Sequence, residues 1–310
     1  MVVALALSPN IRSALFMLVA MAGFTFNDAI TKYSSESMNM AQVMLVRGAF
    51  ASVFVGLLAW RSGALAQFGS MLQPLVAIRV IGEAGGTVSF LIALAHLPIA
   101  NVSSVLQALP LAVTMGAALV FNEGVGWRRW LAIALGFTGV LIIVRPGFEG
   151  FSVFSLVALA SVACCTVRDL ATKRIPAAIP SLLVSTATAI AMTIVGAILL
   201  TPMGGWTPLT GRATALLALA AVLVLIGYQF IIMAMRAGEI SFIAPFRYTS
   251  LLWSIVLGLI IFGDVPDLPM VTGATIIIGS GLYALYRERV VGRRRIVAES
   301  TGPSMAPDGI

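Results

Sequence analysis

Between residues 12 and 289 the chain alternates apolar runs with short polar, Gly or Pro punctuation. A helix needs roughly 20 apolar residues to cross a hydrocarbon layer of about 30 Å, and runs of that size recur here. The pattern predicts helices over residues 13–32, 41–60, 75–95, 98–121, 129–145, 152–172, 179–200, 214–235, 240–262 and 268–286. The third and fourth are almost fused around His96-Leu97-Pro98, where a proline opening the next helix suits a tight turn. The expected fold class is therefore an all-α polytopic membrane protein with ten transmembrane helices.

A second regularity lies over this one. Asn27-Asp28-Ala29-Ile30-Thr31-Lys32 closes the first run, and Arg168-Asp169-Leu170-Ala171-Thr172-Lys173 closes the sixth, 141 residues later. At the same offset Ala93 falls on Ala234, Ile99 on Ile240 and Glu123 on Asp264. Residues 1–147 and 148–289 read as two five-helix repeats, and residues 290–310 as a disordered cytoplasmic tail. Five is odd, so the second copy enters the membrane the other way round. Inverted repeats of this kind carry substrate near the midplane between the halves in secondary transporters.

Composition fits lipid as the solvent. Of 310 residues 60% are hydrophobic and 10% charged, with a mean hydropathy of +1.04; soluble domains carry about 25% charged residues. The net charge of +7 could suggest nucleic acid, but the basic residues are scattered among short loops and the tail. A cytoplasmic N-terminus puts Arg12, Arg61, Arg128, Arg129, Lys173, Arg174, Arg236, Arg287, Arg289, Arg293, Arg294 and Arg295 inside. Only Lys32, Arg145 and Arg212 are then outside. By the positive-inside rule both termini are cytoplasmic, and no nucleic-acid partner is expected. Adjacent Cys164 and Cys165 and a single His96 offer neither a disulfide framework nor metal-ligand spacing. No Walker-type stretch for ATP hydrolysis appears, and no cofactor is expected.

Three stretches carry a family likeness: Leu97-Pro98-Ile99-Ala100, Phe121-Asn122-Glu123 and Ile261-Phe262-Gly263-Asp264. With the ten spans in two halves, they resemble the EamA-type members of the drug/metabolite transporter superfamily over residues 12–289. Asp264 stands where that family usually has Glu, a mild departure. The resemblance implies an inner-membrane, multi-pass transporter of a small organic molecule, working by alternating access. Riboflavin-type vitamin uptake is the first expectation and amino-acid or metabolite efflux the alternative. An intramembrane enzyme is the competing class, which a lone histidine and the lack of a metal motif do not favour. Oligomeric state stays open between monomer and homodimer.

Charge within the spans marks the candidate site, because an ionised side chain at the bilayer centre costs at least about 2.5–3.5 kcal/mol unless partnered or wetted. The intramembrane charges are Asp28, Arg47, Arg79, Glu83, Arg168, Asp169 and Arg247. Four arginines against three acids leave a positive surplus, suited to an anionic, zwitterionic or electron-rich solute. Arg79 and Glu83, four apart, form either an intrahelical ion pair or a cavity-facing acid. Asn101, Ser104 and Gln107 make a polar stripe ahead of Pro110, and Arg247 follows Pro245 in the matching ninth span. The expected substrate-binding set is Asn27, Glu83, Asn101, Ser104, Gln107, Tyr228, Gln229, Arg247 and Tyr248, with Trp253 as a further aromatic contact. Asp28 and Asp169 are the symmetric gate or coupling candidates.

Overall fold

The computed structural model describes residues 9–122, 126–145, 151–176, 178–237 and 244–300. Among them there is no strand. The helices are α1 (Pro9–Ser35), α2 (Met40–Arg61), α3 (Pro74–His96), α4 (Ile99–Leu106), α5 (Leu109–Phe121), α6 (Trp127–Val144), α7 (Val153–Arg174), α8 (Ser181–Leu200) and α9 (Gly211–Ala237). Two more follow, α10 (Thr249–Leu257) and α11 (Leu268–Ser300). Seven helices are long and apolar enough to cross a membrane, and three shorter apolar segments accompany them, at Trp130–Val144, Phe246–Phe262 and Leu268–Ala284. These are the ten expected spans.

The fourth and ninth spans are interrupted. Proline at position 110 has no N–H to give, so the helix turns at Gln107 and Ala108 before α5 resumes. The ninth span is a 3₁₀ stretch at Ala244–Tyr248, then α10, then a π-helical turn at Gly258–Phe262. Helix α11 continues to Ser300, into the stretch 290–310 read from sequence as a disordered tail. Residues 301–310 lie outside the described residues, as do Glu123 and residues 238–243.

The halves are interleaved. Helix α1 packs along α9, α3 along α7, α2 along α8, α6 along α11 and α4 against α10. Every main partner lies in the other half, and the set of pairs is unchanged when each span is replaced by the one five places on. The contacts themselves repeat in register. A Cβ at Gly82 would stand 3.0 Å from the carbonyl oxygen of Cys164, and one at Gly23 would stand 3.1 Å from that of Leu223. The offset of 141 carries position 23 to 164 and 82 to 223. Gly86 meets the Cys165 sulfur, and Gly227 meets the Phe24 ring, again 141 apart pairwise. Between α2 and α8, Ser52 and Thr193 hydrogen-bond to each other at 3.1 Å. These two are 141 residues apart, the placement expected of residues on a two-fold axis between the halves.

Small residues make such contacts possible in lipid, where close backbone approach replaces hydrophobic driving force. In α8, a Cβ on Gly196 would come within 2.6 Å of the Leu45 backbone nitrogen, whereas Gly56 in α2 has nothing within 4 Å. Gly196→Ala is therefore expected to destabilise the α2–α8 pair by about 1–3 kcal/mol through overpacking. Gly56→Ala should leave stability unchanged or slightly improved. Thermal unfolding of the purified protein in detergent reads both; equal midpoints for the two variants would refute this account of the interface.

Candidate substrate site

One end of the bundle is fastened. Lys32, in the last turn of α1, donates to the carbonyl of Leu97, lies 3.9 Å from Asp264 and covers the Phe262 ring at 5.1 Å. Arg145 pairs with Asp267 nearby. On the same side Asn39 caps α2 by accepting from the Gln42 amide, and its own side chain donates to the Gly205 carbonyl at 2.6 Å. Fully buried Gln42 donates to the Thr207 carbonyl and accepts from both the amide and the hydroxyl of Thr207. All of these residues fall at the ends of spans assigned to the outer face. Lys32 does not pair with Asp28 one turn back in α1, because it reaches forward to the fourth and ninth spans instead. The side chain of Lys173 lies outside the described residues.

Behind this closure the intramembrane charges gather in two groups. Nearer the fastened end, Arg47 of α2 donates to the Asn27 amide oxygen at 3.0 Å and to the Thr31 hydroxyl at 3.3 Å. The Asn27 amide nitrogen in turn donates to Asp28 at 2.9 Å. Nearer the other end, Arg168 of α7 spans two acids, with Asp169 at 2.8 Å and Glu83 of α3 at 3.3 Å. The alternative of an Arg79–Glu83 pair within α3 is not what forms. Glu83 turns to α7, and Arg79 donates to the hydroxyl of Thr188 in α8.

Tyr228 joins the groups. Its phenol lies in the field of Glu83, Arg168, Arg79 and Arg47, and its ring meets Phe24 edge-on at 5.2 Å. The exposed apolar residues Leu219, Val222 and Ile226 mark the lipid-facing stripe of α9. At 100° per residue Tyr228 points nearly opposite that stripe, yet 46% of it is exposed. An exposed side chain on the interior face of a helix means a cleft that water enters. Arg247, also exposed, feels Asp169 and Arg168, and its side chain has no hydrogen bond or ion pair among the described residues. Tyr228 and the exposed Arg247 thus mark the candidate cleft, on the side away from the Lys32 closure.

The other expected site residues are placed as follows. Asn27 is buried in the Arg47 group, while Asp28 and Asp169 are half-buried members of their groups. Half-buried Asn101 lies on α4. Ser104 donates to the Ala100 carbonyl of its own helix at 2.7 Å and is fully buried, so it serves α4 itself. Gln107 donates to the Ser250 hydroxyl at 2.8 Å, tying the interrupted fourth span to the ninth. Tyr248 is packed against Gly281 of α11 with its hydroxyl unpartnered, away from the cleft. The side chain of Gln229 lies outside the described residues. Trp253 sits on Phe26, one of the exposed stripe Ile11, Leu15, Val19, Phe26 and Tyr33 by which α1 meets lipid. Thr31 and Thr188 line the groups without having been expected. Thr188 stands 141 residues after Arg47, and that offset was the signal able to find it.

Residues 11–145 match the EamA-like transporter family. The chain is thus similar to the EamA-type members of the drug/metabolite transporter superfamily. A riboflavin transporter of Rhizobium johnstonii is 29% identical over 68% of this chain and 69% of its own. A pseudopaline exporter of Pseudomonas aeruginosa is 25% identical over 84% of this chain and 92% of its own. An S-adenosylmethionine uptake transporter of Rickettsia prowazekii is 25% identical over 92% and 96%. A solved crystal structure superposes with a TM-score of 0.61 over 90% of this chain and 98% of that one. At 17% identity that likeness concerns the fold alone. The family match and the apolar helices make the chain a multi-pass membrane protein, similar to transporters rather than to enzymes.

The triad of Glu83, Arg168 and Asp169 holds α3 to α7 with charge-assisted bonds largely out of water. Removing one partner of such a group strands the other, which costs more than the pair's net worth. Glu83→Gln and Arg168→Gln should each lower stability by about 1–3 kcal/mol, and the double variant should lose clearly less than the sum. Thermal midpoints in detergent test the cycle; additive losses would mean the two side chains do not interact.

Proposed function

We propose that this chain takes up riboflavin, or a closely similar planar vitamin, across the inner membrane by alternating access between repeats at residues 1–147 and 148–289, with both termini cytoplasmic. The carrying observation is Tyr228: an exposed aromatic face on the interior side of α9, in the field of the Arg47, Arg79 and Arg168 guanidinium groups. A flat, electron-poor ring stacks on such a face, and guanidinium donors satisfy the carbonyl and ring-nitrogen acceptors at its edge. The register-matched contacts between α1 and α9, and between α3 and α7, support the repeat boundaries. The likeness to a riboflavin transporter supports the substrate.

Amino-acid or metabolite efflux is the second reading. What favours it is the charge balance, in which Arg247 meets no carboxylate in direct contact and a solute carboxylate would supply one.

Alternating access requires one side of the site to be closed while the other is open. The Lys32 closure at one end and the exposed Tyr228 and Arg247 towards the other support a state open to the cytoplasm. Two measurements follow. A riboflavin-auxotrophic bacterium expressing the chain is expected to grow at vitamin concentrations too low for the parent strain; absence of growth with normal membrane expression defeats the substrate reading. Tyr228→Cys in an otherwise cysteine-free background should react with a membrane-impermeant maleimide in inside-out vesicles more than in right-side-out ones. Adding Lys32→Ala should raise the right-side-out reaction several-fold. No change on adding Lys32→Ala would show that Lys32 does not hold the outer side closed.

A further inference from the structure

The guanidinium groups of the cleft are unequally satisfied. Arg168 has two carboxylates in contact. Arg47 has an amide oxygen and a hydroxyl, with Asp28 one bond further on. Arg79 has only the hydroxyl of Thr188, and its Nε–H is buried with no acceptor. Glu83, one turn along the same helix face, is committed to Arg168. A buried donor without an acceptor is expensive, and more so on a charged group. Nothing among the described residues offers the missing acceptor, while the exposed Tyr228 lies within the field of the same guanidinium.

The repeat sharpens the point. Position 188 corresponds to position 47 under the offset of 141, so the second half has a threonine where the first has its arginine. Arg79, supplied by α3, brings a guanidinium to that vacant place. The site is thereby doubled in charge but not in partners: the Arg47 copy is held on Asn27 and Thr31, and the Arg79 copy has Thr188 alone, its Nε–H left without an acceptor.

We propose that Arg79, oriented by Thr188, is a substrate-binding residue: when the halves part, its unpartnered Nε–H edge takes a pair of adjacent acceptor atoms on the transported solute. The guanidinium fork delivers two near-parallel N–H donors, which match a carboxylate or a ring nitrogen next to a carbonyl. In riboflavin the matching group is ring nitrogen N1 with the adjacent C2 carbonyl; in an amino acid it is the carboxylate. The choice between these sources rests on the uptake reading above, whereas the role of Arg79 does not.

Calorimetric titration of the purified, full-length protein separates them. The probes are riboflavin, 1-deazariboflavin (which lacks the N1 acceptor), L-phenylalanine and L-phenylalaninamide. Riboflavin is expected to bind the wild type, Arg79→Gln to weaken it about tenfold or more, and 1-deazariboflavin to bind both proteins alike. Arg79→Lys keeps the charge without the fork, and should likewise abolish the preference for riboflavin over its deaza analogue; it serves if the Gln variant does not fold. If riboflavin fails on the wild type but L-phenylalanine binds through Arg79 and its amide does not, the subsite stands and the vitamin reading falls. If none of the four binds the wild type, or if Arg79→Gln and Arg79→Lys change every affinity equally or not at all, the proposal is overturned.

Discussion

A guanidinium surrounded by hydrocarbon has to find acceptors, and this requirement governs how the bundle is put together. Arg47, Arg79 and Arg168 each reach to a different helix, and the acceptors they meet lie on α1, α8 and α3. The partners are therefore not free to slide: moving α3 along α7 by one turn would strand Glu83 and Arg168 together. Apolar contacts in lipid impose no such register, since a methyl group is as well placed against an acyl chain as against leucine. The charges position the helices, and the glycines permit the approach that brings the charges within reach.

The ten spans and the recurrence of residues at an offset of 141 were legible in the chain. They depend on periodicity and composition, which a single sequence displays. Which side chains face the cleft was less legible. Ser104 and Gln107 looked like a lining stripe, but a serine in a helix can satisfy itself on the carbonyl four residues back, and here it does. Tyr248 and Arg247 are neighbours in sequence and point apart, one to Gly281 of α11 and one to the cleft. The turn between adjacent residues decides that, and a 3₁₀ stretch ahead of the helix makes it unreadable from a 3.6-residue wheel. Trp253 packs on Phe26 and against the cluster of Met17, Ala20, Met21 and Ala234, a placement that depth in the membrane alone does not reveal.

The ion groups show the same limit from the other direction. Spacing of four residues suggested that Arg79 would neutralise Glu83, and geometry on one isolated helix allows it. A second helix carrying Arg168 offered the acid a partner that also meets Asp169, and the longer-range pairing won. Local rules describe what a helix could do alone; in a bundle whose main contacts all cross between halves, they set only the alternatives.

That crossing has a consequence for how such a chain could have arisen. None of the five helices of one half has its principal partner in that half. A single unit obeying this pairing scheme would be a helix set with glycine faces and arginines left open. Two identical units inserted in opposite orientations would close each other completely, through contacts like the one between Ser52 and Thr193 that needs no sequence difference between copies. Two such units in opposite orientations are thus the smallest set that satisfies this pairing scheme, and carrying both on one chain fixes their orientations. It also lets corresponding positions differ, as the arginine at 47 and the threonine at 188 do.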